Sequence, residues 1–82
     1  MLTGVQVRMA RVALNMSADT LAEKAGVASK TIRRIESAEG IPTSSAKTIA
    51  SIQTALETAG IEFIGSPEDA PGIRIHPRPT TG

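Results

Sequence analysis

The chain has 82 residues, no cysteine, one aromatic residue (Phe63) and a net charge of +1. That length sets a single domain near the lower end of what folds unaided; without cysteine there is no disulfide framework or thiolate metal site, and His76 cannot build a metal cluster alone. No apolar run approaches the ~18–20 residues of a membrane span and no N-terminal pattern reads as a signal peptide, so a soluble, cytoplasmic protein needing no cofactor is expected.

The first periodic segment is "GVQVRMARVALN". Val7, Ala10 and Leu14 recur at helical spacing, with Arg8 and Arg11 on other faces, and Asn15 suits the left-handed turn that ends a helix. Ser17 then reads as an N-cap, with Asp19 in the first turn, where the helix dipole favours an anion. Met16 and Leu21 flank that cap at the spacing of a hydrophobic staple, so a second helix is predicted over 18–25. Both Met9 and Met16 read as core or staple residues.

Gly26 ends the second helix and a third begins near Ser29. Its inward positions are Ala28, Ile32 and Ile35, while Lys30, Arg33, Arg34 and Ser37 fall on the opposite face. From Lys24 to Arg34 there are four positive residues and no negative one. A basic helix face on a nearly neutral protein is compatible either with a solvated surface or with nucleic acid. "SAEGIP" reads as a loop and "TSSAKTIASIQTALETAG" as a fourth helix. Thr43 or Ser44 is its expected cap, Ile49, Ile52 and Leu56 its buried stripe, and Gly60 its end.

After Gly60 the period becomes alternating. Ile61 and Phe63 share one face of a strand, and Ile73 and Ile75 one face of another, with the turn-rich "GSPEDAP" between them. The expected organisation is a helical domain over 1–60, a β-hairpin arm over 61–76 and a flexible tail over 77–82. Two strands alone are marginal in water, and an unpaired edge invites pairing. The hairpin either closes over its own domain or, the preferred expectation, pairs with a second copy through Ile61, Phe63, Ile73 and Ile75. Because the four helices carry their own apolar stripes, they are expected to fold without the hairpin.

Residues 18–37, "ADTLAEKAGVASKTIRRIES", fit a helix-turn-helix position by position. Ala22 is small where two short helices cross. Gly26 tolerates the positive φ of the tight turn. Leu21, Ala25, Val27, Ile32 and Ile35 supply the apolar wedge. On these residues, and most specifically on "LAEKAGV" and "TIRRIE", the chain resembles the XRE family of transcriptional regulators, the family of phage lambda repressor and Cro, over about residues 4–59.

The resemblance implies a mostly α-helical, four-helix domain whose third helix enters the DNA major groove, in a dimer that reads two half-sites about one helical turn apart. It places Ser29, Lys30 and Arg34 where base edges are reached, and Thr31 and Arg33 where the backbone is touched. It also matches Arg11 and Glu36 to an ion pair that ties the first helix to the third and can present Arg11 to a phosphate.

The chemistry agrees. Arginine and lysine donate to guanine O6 and N7, and Lys30 and Arg34 rise one turn apart from one face. Helix N-termini offer amides to phosphates, which adds Ser17, Ser44, Ser45 and Lys47 as candidates. Three positions depart from the family pattern: Ala18 replaces a phosphate-clamping glutamine, Ala28 a hydroxyl cap, and Glu39 a basic loop residue.

Ser17 and Ser29 have no base arranged to activate them, so catalysis is not expected. The expected function is a bacterial or phage-type regulator that binds a pseudo-palindromic operator in double-stranded DNA as a homodimer. The alternative is a helix-turn-helix module, antiactivator-like or antitoxin-like, that binds another regulatory protein.

Overall fold

A computed structural model describes residues 2–38, 42 and 44–76. Four helices are followed by two strands: α1 Gly4–Ala13, α2 Ala18–Ala25, α3 Ser29–Ser37, α4 Ala46–Thr58, β1 Ile61–Ser66 and β2 Asp69–Ile75. Thr43, Glu39 and the tail over 77–82 lie outside the described residues.

Three of the four helices begin where a side chain takes an orphan amide. Thr3 opens α1 through a capping box: the Gln6 amide donates to Thr3 Oγ1, and the Thr3 amide donates to Gln6 Oε1. Asn15, at φ 54°, turns the chain out of α1 as its residue type suggests. Ser17 caps α2 by accepting from the Thr20 amide at 3.0 Å, and Gly26 closes it in the left-handed region at φ 70°.

Two caps differ from expectation. Ala28 is not an inward residue of the α3 stripe but its exposed N-cap; its extended backbone takes it off the helical face. It makes no side-chain cap bond, so α3 begins without one. The α4 cap is Ser45, not Ser44: Ser45 Oγ accepts from the Thr48 amide at 3.2 Å, the reach a cap needs three residues before its donor.

The core gathers one stripe from each helix. Leu2, Val7, Ala10, Leu21, Ala22, Ile32, Ile35, Ile52, Leu56 and Ile61 are buried together, with Leu14, Met16, Val27 and Ile49 packed against them. Small residues set the crossings. Ala22 is buried between α2 and its neighbours, and a Cβ on Gly4 would collide with the backbone carbonyl of Ile35, so α1 can lie against the end of α3 only as glycine allows.

The strands pair antiparallel in the register Ile61↔Ile75, Phe63↔Ile73 and Ser66↔Asp69, with an irregularity between Ile64 and Ser66. The connection is tighter than the expected "GSPEDAP" loop, because β2 begins at Asp69 and leaves only Pro67 and Glu68 between the strands. Gly65 at φ 75° and Ala70 at φ 52° absorb the sharp reversal.

The hairpin closes over its own domain. Ile61 is 2% exposed within the helical core, and Phe63 and Ile73 pack against that core. Ile75, at 54% exposed, is the one member of the expected dimer face left open. The physical reason is the join: only Ala59 and Gly60 separate α4 from β1, so the strand's first apolar residue stays with the core that α4 lines. Gln6, 1% exposed, fixes the arm from the other side, its Nε2 donating to the carbonyls of Ile64 at 3.2 Å and Gly72 at 2.8 Å.

Candidate nucleic-acid interface

α3 presents two opposite faces. Ile32 and Ile35 are buried in the core, and Lys30, Arg33, Arg34 and Ser37 are exposed on the other side. Thr31 and Ser29 are half-buried at its flank. Among the described residues Lys30 and Arg34 carry no salt bridge, so both cations are presented to solvent.

The helix is held in place by Arg11. Its Nε donates to Glu36 Oε2 at 2.7 Å and its Nη2 to Oε1 at 2.8 Å, while Nη1 donates to the Met16 carbonyl at 3.0 Å. One guanidinium therefore joins α1, the entry to α2 and the C-terminal half of α3. The pair is 20% and 10% exposed, dry enough for a bidentate ion pair to restrain geometry. The hydrogen bond to Glu36 raises the Arg11 pKa against the opposing effect of burial.

An acid was not expected on this face, yet the turn brings one there. Asp19, from the first turn of α2, accepts from Arg33 Nη2 at 3.2 Å. The Ser29 hydroxyl and then the Arg33 charge hold the Asp19 carboxyl below its ordinary value of 3.8. Fourteen residues separate Asp19 from Arg33, so no local spacing rule pairs them; only the helix-turn-helix geometry does.

The helix N-termini are arranged unequally. The Ser17 and Ser45 hydroxyls are exposed, but each accepts its own helix's amide and donates to a threonine, Thr20 at 2.9 Å and Thr48 at 3.0 Å. A phosphate at either end would thus meet first-turn backbone amides and, at α4, the exposed Lys47. The Ser44 Oγ, just before the α4 cap, is buried with no hydrogen-bond partner among the described residues.

This arrangement is a helix face carrying exposed cations and braced from behind by the Arg11–Glu36 pair. No group of three or more His, Cys, Asp or Glu among the described residues could hold a metal ion. No helix among them is long and apolar enough to cross a membrane.

A family model described as helix-turn-helix matches residues 7–57, more than half of the chain. The chain belongs to the XRE-type helix-turn-helix family. That family is one of DNA-binding regulators and not of enzymes, and the matched span runs from α1 to the last turn of α4. No curated protein matches the chain.

Proposed function

We propose that this helix-turn-helix protein is a sequence-specific, cytoplasmic transcriptional regulator that binds a pseudo-palindromic operator as a homodimer, each copy laying α3 in the major groove. The observation that carries the reading is the division of α3: Ile32 and Ile35 are anchored at 0% and 1% exposure, and Lys30 and Arg34, without an acid partner among the described residues, stand one turn apart on the outer face. Both then serve as donors to guanine edges, with Ser29 beside them. Thr31, Lys47 and the first-turn amides of α2 and α4 meet the backbone, and Arg33 reaches it only where it leaves Asp19 on the operator. Arg11 acts chiefly by bracing α3, since Glu36 and Met16 engage all three of its nitrogens.

The test is binding to duplexes selected from a random pool, followed across salt. Log affinity is expected to fall with log salt at a slope of roughly −0.9 per phosphate neutralised. Lys30→Ala and Arg34→Ala are expected to leave the fold intact, and each to lose roughly 1–3 kcal/mol of discrimination at one base pair. Unchanged sequence preference in both variants refutes this assignment of readers.

A second reading has its own observation. α1 exposes Val5 and Val12 at 56% and 63%, two valines one heptad apart on a surface helix. They support a protein partner, another regulator, docking on α1. Absence of duplex binding at low salt, together with capture of a regulator that Val12→Lys abolishes, favours that reading.

A further inference from the structure

Among the described residues, Arg33 alone of the three basic residues on the outer face of α3 meets an acid. Its Nη2 lies 3.2 Å from Asp19 Oδ1, and both side chains are largely exposed, at 63% and 72%. The acid comes from the first turn of α2, whose N-terminus is itself an anion-attracting end. The Asp19 carboxylate therefore holds the arginine a DNA phosphate would seek there, and it places a negative charge in the first turn of α2.

We infer that Asp19 is a positioning and specificity-determining residue, an internal stand-in for phosphate that keeps Arg33 from adding to binding on DNA of arbitrary sequence. The inference rests on the DNA-binding reading above. Binding to arbitrary duplex is almost wholly a matter of phosphates neutralised, each worth a step in salt slope. An Arg33 engaged by Asp19 contributes no net charge, so the protein approaches a random duplex with one cation fewer per copy. On its operator the unpaired Lys30 and Arg34 supply base contacts that do not depend on Arg33. Asp19 thus lowers background affinity more than specific affinity, and the ratio between the two rises. The contact is exposed and weak enough to rearrange readily, so its effect lies in the charge it presents to DNA and not in the stability of the fold.

Three chains test this on a random-sequence duplex and on the selected operator: wild type, Asp19→Asn and Asp19→Asn with Arg33→Gln. Asp19→Asn is expected to steepen the salt slope on random duplex by about 0.9 per copy, a roughly 3.5-fold greater loss of affinity between 50 and 200 mM salt. It should also lower the ratio of operator to random affinity. The double variant, again without net charge at this pair, is expected to return to the wild-type slope. Asp19→Asn with the wild-type slope, or a steepened slope that survives the loss of Arg33, overturns the inference while leaving the DNA reading in place. A wild-type chain that binds neither duplex at low salt overturns the DNA reading and this inference together.

Discussion

At the residue scale, Gln6 carries more of the structure than its type advertises. Its side-chain oxygen closes the α1 capping box, and its nitrogen holds one carbonyl from each hairpin strand. Gln6→Ala removes the side-chain partner of the buried Thr3 amide and of two half-buried hairpin carbonyls, and is expected to destabilise the fold by roughly 2–4 kcal/mol. Gln6→Glu keeps the acceptor for Thr3 but sets a carboxylate against two carbonyl oxygens, so it should also destabilise. A denaturant midpoint unmoved in both variants shows that this clamp contributes nothing. Gln6 is not among the residues the sequence pattern singles out, although "TGVQ" has the spacing of a capping box and could have revealed half of its role. The long-range half was not legible, because no rule of spacing links Gln6 to Gly72, 66 residues away. The same holds for Asp19 and Arg33. The sequence pattern separates acids from bases along the chain, and the turn at Gly26 then folds one of those acids onto the basic face.

At the element scale, periodicity located all four helices and both strands, since each has an apolar stripe and a stop signal that agree. It erred where a residue's role depends on backbone direction and not on period. Ala28 has the phase of an inward residue but precedes the helix. Ser44 and Ser45 are equal candidates by type, and only the observed turn selects the second. The hairpin is the larger lesson. The helical stripes look complete by pattern, which makes the hairpin's apolar face surplus to them, yet Ile61 is only 2% exposed within that core. A chain ending at Gly60 therefore loses a core side chain, worth roughly 2–5 kcal/mol by the measure of large-to-small core substitutions, along with both Gln6 anchors. Against the 5–15 kcal/mol of stability usual for a domain, it is expected to lose much of its cooperative unfolding. Circular dichroism during urea titration checks this. A sharp transition at the full-length midpoint shows that the helices stand alone after all.

At the scale of the whole molecule, size and symmetry decide how much DNA one copy reads. The domain measures 34 × 30 × 21 Å, and one turn of duplex is about 34–36 Å long. On the proposed reading, one copy covers a single half-site, with one recognition helix and, among the described residues, a short list of unpaired cations. Such a contact is too small to pick one site from many, and two copies related by a two-fold axis double it while sharing one association step. The hairpin no longer offers its whole apolar face to that second copy, but Ile75 and the strand edges around it remain open. Sites enriched from a random duplex pool are accordingly expected to be inverted repeats with half-sites about 10 bp apart, centre to centre. Sedimentation of the bound complex should give two chains per site, and a duplex carrying one half-site should bind far more weakly. Ile75→Lys is expected to weaken binding to the full site while leaving half-site affinity nearly unchanged. Enrichment of one short asymmetric motif, bound by a single chain as tightly as the full site, rules out the dimer and makes each copy a reader in its own right.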